Sequence, residues 1–315
     1  MAKFVVTGGG GFIGSNLVEA LLRRGEEVVA LDDFSTGRRS NLAQAGEWSA
    51  AGGGRYTLAE GDIRDEAMVR RTLDGADFVL HQAAIPSVQR SVQDPILTND
   101  VNIRGTLVLL EAARRAGVRR FVCASSSSLY GESETLPKVE TMAAAPISPY
   151  GLQKLAGETY CLLYNRLYGL RTIAFRYFNV FGPRQDPGSE YSAVVPLFIA
   201  AGRAGRRAVI YGDGLQTRDF TYVANVVQAN LLACRAPDEA CGLAYNIACG
   251  ERITLNDLLL RIGEILGREI VADHVDPRPG DIRHSLAGIE LAISRLGYVP
   301  EADLSQGLRR TIEAA

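Results

Sequence analysis

Short, nearly unbroken apolar runs alternate with amphipathic stretches through the first half of the chain. KFVVT (3–7), EVVALD (27–32), YTLAEGD (56–62), DFVLHQ (77–82) and RFVCAS (120–125) have the length of strands. Their mostly continuous apolar character predicts parallel strands covered on both faces. Helical spacing fills the gaps at 12–24, 65–73 and 100–116. A long helix opens at Ser148-Pro149-Tyr150, where serine and proline are start signals, and LRTIAFRYF (170–178) follows it as a further strand. This alternation predicts an α/β fold built on a doubly wound parallel sheet. Beyond residue 178 the pattern is less regular. Helices are predicted at 192–204, 223–234, 254–266, 287–296 and 304–313, with short strands at 209–212, 245–248 and 269–275. Residues 1–178, with part of the later chain returning to them, are expected to form the sheet domain. Residues 179–315 are expected to form mainly a smaller C-terminal α/β domain over the sheet's carboxyl ends. AAGGGR (50–55) reads as a surface loop.

Composition narrows the partners. With 47% apolar residues among 315, the chain can bury a large core, and its net charge of −2 points to neither nucleic acid nor an anionic membrane. No apolar run approaches membrane-spanning length, and Met1-Ala2-Lys3-Phe4 leads straight into a strand, so a cytoplasmic protein is expected. The five cysteines form no C-x-x-C pair and read as reduced thiols. Three histidines, at 81, 274 and 284, are scattered, so no metal is expected.

TGGGGFIGSNL (7–17) follows the first strand and opens the first helix. Gly8, Gly11 and Gly14 allow a tight turn and close backbone approach to a pyrophosphate at a helix N-terminus, the signature of a Rossmann-type dinucleotide site. Asp32 ends the second strand and can accept hydrogen bonds from an adenine-ribose diol, favouring NAD over NADP. Arg38 and Arg39 nearby are read as solvated surface charges. FVCASSSSLYG (121–131) places hydroxyls at a strand's carboxyl end, where ligands of such sheets bind, although a serine-rich turn can also satisfy its own backbone. Tyr150-x-x-x-Lys154 sets a phenol and an ammonium one helical turn apart. Chance would supply about 0.1 such pairs in this chain. Lysine occurs only at 3, 138 and 154, the other 31 of 34 basic residues being arginine, and arginine does not replace lysine's compact ammonium. A tyrosine is a poor base at neutral pH, and a neighbouring cation favours its phenolate.

Gly8-x-x-Gly11-x-x-Gly14, Asn102-x-x-Gly105-Thr106, Ser126 ahead of Tyr130-Gly131, and Tyr150-x-x-x-Lys154 together resemble the extended short-chain dehydrogenase/reductases. Within them, RYFNVFGPRQDP (176–187), YGDGLQTRDFTYV (211–223) and RPGDIRHS (278–285) look like nucleotide-sugar 4-epimerases, with the UDP-N-acetylglucosamine/UDP-glucose 4-epimerases as the nearest group. The resemblance implies tightly bound NAD, a UDP-sugar substrate and a transient 4-keto sugar that turns over between removal and return of hydride. It implies Tyr150 as base on the sugar 4-hydroxyl, Ser126 as its hydrogen-bonding partner, and Lys154 on the nicotinamide ribose. It places Phe12, Ile13, Asp33, Ser35, Asp62, Ile63, Ala83, Ala84, Asn102 and Tyr177 with the glycines and Asp32 around NAD. The UDP-sugar would meet Ser87, Ser127, Asn179, Val194, Val195, Tyr211, Arg218, Arg278, Asp281 and Ser285. Arginines suit that role because a dianionic pyrophosphate wants fork-shaped cationic donors.

The residues after Ser126 separate related reactions. The resembling 4,6-dehydratases carry an Asp-Glu pair there, and UDP-glucuronate decarboxylases a glutamate at the second place; this chain has Ser127 and Ser128. A UDP-glucuronate 4-epimerase needs no extra acid and stays open; a non-catalytic NAD-binding regulator, the alternative of a different class, typically lacks the Tyr–Lys pair or the sugar residues, and this chain has both. Ser285 stands where a bulky tyrosine tends to exclude a 2-acetamido group, so N-acetylated sugars are expected alongside UDP-glucose and UDP-galactose; capping of a helix near 287 is the competing role. Gly288, often aspartate in the family, is expected to start that helix and affect only local stability. Helices 100–116 and 150–168 resemble those that pair in a homodimer's four-helix bundle.

Overall fold

The computed structural model describes residues 1–186, 188, 193–277 and 282–314. The chain begins β1 (Lys3–Thr7), α1 (Phe12–Leu22), β2 (Glu27–Asp32), α2 (Ala45–Gly52), β3 (Arg55–Glu60), α3 (Glu66–Leu73) and β4 (Phe78–His81). Two short helices, α4 (Val88–Gln93) and α5 (Pro95–Asn99), run into a π-helical turn (Asp100–Gly105) and α6 (Thr106–Arg115). Then come β5 (Arg120–Ser126), α7 (Pro149–Tyr168), β6 (Thr172–Tyr177) and β7 (Val180–Phe181). The remainder carries α8 (Val194–Arg203), β8 (Ala208–Tyr211), β9 (Thr217–Arg218), β10 (Thr221–Tyr222), α9 (Val223–Arg235), β11 (Leu243–Ile247), β12 (Ile253–Thr254), α10 (Leu255–Leu266), β13 (Ala272–Val275), α11 (Glu290–Leu296) and α12 (Leu304–Ala314).

Seven parallel strands form the central sheet in the order β11-β6-β5-β4-β1-β2-β3. Alternate side chains feed two cores. Phe4, Val6, Val28 and Ala30 pack with Leu17 and Leu21 of α1, whereas Val5, Val29 and Leu31 pack with Leu109 of α6 and Cys161 of α7. Strand order reverses between β1 and β4, so the ligand crevice of such a sheet opens at their carboxyl ends. A third core joins α8, α10 and α12 with β8, around Phe198, Ile210, Leu258 and Leu308.

One expectation becomes specific and three change. YNIA belongs to the central sheet: β11 pairs along β6 from Leu243↔Ile173 to Ile247↔Tyr177. The intervening α9 supplies the crossover that a parallel pairing requires. AAGGGR is half helical, because α2 runs through Gly52 with Trp48 buried under it and ends at Gly53, whose φ of 73° needs no Cβ. Residues 100–105 form a wider turn than an α-helix; Gly105 lets it press on Ile63, whose Cδ1 lies 2.6 Å from where a Cβ would stand. The helix expected from 287 starts at Glu290. Ala287 N donates to Asp219 Oδ2 and Gly288 N to Lys138 O, holding 285–288 extended. Gly288 is therefore packed, with a Cβ there 2.8 Å from Val139 Cγ1 and 3.0 Å from Glu290 Oε2.

Candidate functional site

The glycine-rich turn is a cradle fixed from behind. Gly8 has φ 68° and sits so near the β4 loop that a Cβ would lie 2.8 Å from Ala83 N; one on Gly14 would lie 2.0 Å from Gly8 O. Asp32 braces this turn with both oxygens, accepting from Gly10 N at 2.8 Å and Phe34 N at 2.7 Å. Burial raises its pKa against those donors. A carboxylate has about four acceptor positions, so the backbone donors of the turn do not exhaust it. Phe12 and Ile13 open α1 beside it. Asp33 and Ser35 form an exposed local turn, with Ser35 N and Oγ both donating to Asp33 Oδ1. The Arg38 and Arg39 heads pair with Asp186 and Glu60.

Further along the crevice, Arg64 bridges Asp62 and Asp100, and its hydrogen bond holds Asp62 below the usual carboxylate range. Ile63 is buried beneath the π-turn. Asn102 clamps the β4 loop: Oδ1 accepts from Ile85 N at 2.8 Å, and Nδ2 donates to Ile85 O and to Gln153 Oε1. Its amide hydrogens are thus engaged within the protein, so it shapes the wall carrying Ala83 and Ala84. Tyr177 ends β6, buried, its hydroxyl accepting from Asn230 Nδ2 at 2.9 Å.

Ser126 ends β5 opposite Tyr177. Its Oγ accepts from Ser128 N at 3.2 Å and from the Ser128 hydroxyl at 2.9 Å, and among the described residues its own proton has no acceptor. Ser127 follows, half-buried. Ser148 caps α7 by accepting from Gly151 N, and Pro149 starts it, so Tyr150 and Lys154 project from its first turns. Ser91 Oγ accepts from Tyr150 N at 3.0 Å, satisfying a helix-start donor from another element. Lys154 Nζ donates to Ala124 O at 2.9 Å and lies 5.9 Å from the Tyr150 ring centre. Among the described residues two of its three hydrogens remain for a ligand.

Ser87 caps α4, the helix whose Ser91 meets Tyr150, by accepting from Arg90 N. Asn179, at φ 34°, donates through Nδ2 to Asp219 O at 3.0 Å. Val194 and Val195 open α8. The Val195 side chain lies in the third core, so it can offer a ligand only backbone. Tyr211 edges a cleft of about 480 Å³ with Asp213, Gln216, His274 and Arg283. Arg218 Nη1 donates to Thr217 O. Arg278 and Asp281 lie outside the described residues. Ser285 N donates to Thr217 O at 3.1 Å; with α11 starting five residues later, Ser285 does not cap it.

A family model described as the NAD dependent epimerase/dehydratase family matches residues 4–248. The chain belongs to that family. A UDP-glucose 4-epimerase of Mycolicibacterium smegmatis is 39% identical over 313 residues, covering 99% of this chain and 97% of the relative. Among solved structures, UDP-N-acetylglucosamine 4-epimerase from Methanobrevibacter ruminantium, in complex with UDP-N-acetylmuramic acid, superposes with a TM-score of 0.92 at 38% identity, covering 99% and 97% of the two chains. UDP-glucuronic acid 4-epimerase from Bacillus cereus, in complex with UDP-glucuronic acid and NAD, superposes at 0.89 with 32% identity, covering 99% and 98%.

NAD fits the residues of this family member: a turn where added Cβ atoms would clash, the start of α1, and an acceptor at the end of β2. Several supporting groups carry no sequence motif. His81 is buried between Thr7 Oγ1 at 2.8 Å and Thr106 Oγ1 at 2.9 Å. Because the Thr106 hydroxyl donates to Asn102 O, it must accept from His81 Nε2–H, and Nδ1 then accepts from Thr7. Thr7 Oγ1 in turn accepts from Ala83 N. Burial, then the charge of Lys154, pushes His81 down to about 3, so it stays a neutral spacer between the glycine turn and the π-turn. Glu158 had a sequence signal, lying one turn past Lys154 on α7. Ser91 and Asp219 had none that spacing could reveal.

Proposed function

We propose that this chain is an NAD-dependent UDP-sugar 4-epimerase that interconverts UDP-GlcNAc and UDP-GalNAc and also accepts UDP-glucose and UDP-galactose. The observation that carries the reading is the Ser126–Tyr150–Lys154 group at the sheet's carboxyl end, with serines rather than acids at 127 and 128. Elimination would require an acid–base pair at those two positions. When bound, NAD supplies a place for hydride from sugar C4 and returns it. Tyr150 takes the O4 proton and gives it back, with the Lys154 ammonium 5.9 Å from its ring centre. The Ser126 hydroxyl, whose oxygen accepts from Ser128, offers its proton to a sugar oxygen. Arg218, with Arg278, holds pyrophosphate charge.

Ser285 supports the N-acetyl preference, because its half-buried side chain is small and its backbone is pinned to Thr217. A UDP-sugar panel, with product stereochemistry read by NMR, tests substrate and wall together. Wild type is expected to turn over UDP-GlcNAc. Ser285→Tyr is expected to reduce kcat/KM for UDP-GlcNAc by about 10–100-fold while sparing UDP-Glc. An unchanged preference removes the argument from Ser285, and turnover of UDP-glucuronate alone replaces the substrate.

The same reading includes a homodimer. Leu152, Leu163 and Leu167 lie on one outward face of α7, 56, 39 and 63% exposed, and Ile96 ahead of α6 is 82% exposed. A second copy seated there would cover them. Sedimentation is expected to give twice the 34.0 kDa chain mass, and a monomer at micromolar concentration would remove the dimer.

A further inference from the structure

Asp219 sits between β9 and β10 with none of its surface exposed. Its Oδ1 accepts from Cys249 N at 3.1 Å; its Oδ2 accepts from Gly250 N at 3.1 Å and Ala287 N at 3.2 Å. Its carbonyl accepts from Asn179 Nδ2 at 3.0 Å. Among the described residues no basic side chain is paired with it. Burying such a carboxylate opposes folding, and the three N–H donors offset only part of that penalty. Burial accordingly pushes its pKa up to about 7, against the pull of those donors. A neutral residue would suit the core better.

The four bonds converge on the proposed sugar wall. Ala287 fixes the extended segment two residues after Ser285, Asn179 is a sugar-site residue, and Arg218 precedes Asp219 directly. We propose that Asp219 is a positioning residue for the sugar pocket: its carboxylate locks the Ser285 segment to the loop after β11, and its carbonyl locks Asn179. This rests on the reading of Ser285 and Asn179 as facing the sugar. Asp219 touches no substrate itself. An asparagine there keeps the shape but its one acceptor oxygen serves two of the three donors, so at least one bond is lost and the remaining N–H faces an amide NH2.

The test is a cycle of D219N, S285Y and the double variant, assayed with UDP-GlcNAc and UDP-Glc, with bound NAD and thermal midpoint measured on each. D219N is expected to keep its NAD and to raise KM for both sugars about tenfold with a smaller change in kcat. The S285Y penalty against UDP-GlcNAc should shrink severalfold in the D219N background. KM within twofold and an undiminished S285Y penalty would overturn the proposal, whatever the thermal midpoint does. If S285Y shows no penalty in otherwise wild-type protein, the Ser285 reading fails, and the KM effect of D219N alone decides the role of Asp219.

Should D219N not fold, wild type carries the test from pH 8 to pH 6. Protonating the carboxyl weakens its three acceptor bonds, so KM should rise as pH falls. Among the described residues, the other titratable or charged groups around it are Cys249 and Glu251 on the loop, Arg283 and His284 on the Ser285 segment, Arg218, and Tyr298, whose hydroxyl donates to Ala248 O. The profile is repeated on H284Q, which removes the imidazole of the Ser285 segment. A KM flat from pH 8 to pH 6 in both proteins overturns the proposal.

Discussion

Tyr150→Phe is expected to lower epimerase turnover by about 10²–10⁴-fold, the range supplied by a positioned proton-transfer group. The fold should be indifferent to the change. Among the described residues nothing hydrogen-bonds the Tyr150 hydroxyl, while its backbone N–H is held by Ser91 and its ring remains in the variant. Thermal midpoint and NAD content should therefore match wild type. An ultraviolet spectrum after adding UDP-sugar should show reduced nicotinamide in wild type and far less in the variant. Near-normal turnover in purified Tyr150→Phe would refute Tyr150 as the base and, with it, the proposed mechanism.

How much of this was legible in the sequence depends on where each feature's information resides. β1 and β2 match their apolar runs to the residue, because a strand buried on both faces writes its burial locally. Which part of the later chain returns to the sheet is set by the α9 crossover, which the five residues LAYNI do not encode. The start of α11 was misplaced because distant acceptors, Asp219 and Lys138, take the backbone donors of 287 and 288. The site divides similarly. Glycine spacing and Tyr150-x-x-x-Lys154 are local and were readable. The grip of Ser91 on Tyr150 spans 59 residues, and the link from Thr7 to His81 spans 74. Such contacts exist only once the sheet has formed, so no spacing announces them.

Glu158→Ala is the second change with a large expected effect, here on stability. Arg176 and Glu158 form an ion pair with side chains 8% and 3% exposed: Nη2 to Oε1 at 2.6 Å and Nε to Oε2 at 3.0 Å. Burial works against the Arg176 charge, but the Glu158 hydrogen bond and charge outweigh it and hold its pKa above the ordinary value. Removing one partner leaves an uncompensated buried charge, with an expected loss of about 3–5 kcal/mol in urea unfolding. Replacing both, as Glu158→Leu with Arg176→Met, should recover much of it. The pair also links the two sides of the site. Ser125, next to Ser126, donates to Glu158 Oε2 at 2.7 Å, and Arg176 Nη1 donates to Tyr130 OH, which donates to Asn246 Oδ1. Asn246 Nδ2 then holds Lys138 O and Gly288 O, at the end of the Ser285 segment. The double replacement should therefore restore stability without restoring turnover. A single-variant loss under about 1 kcal/mol, the scale of an exposed pair, would mean that water reaches the charges. Full turnover in the restabilised double variant would mean that this chain of bonds serves the fold and not the placement of Ser126.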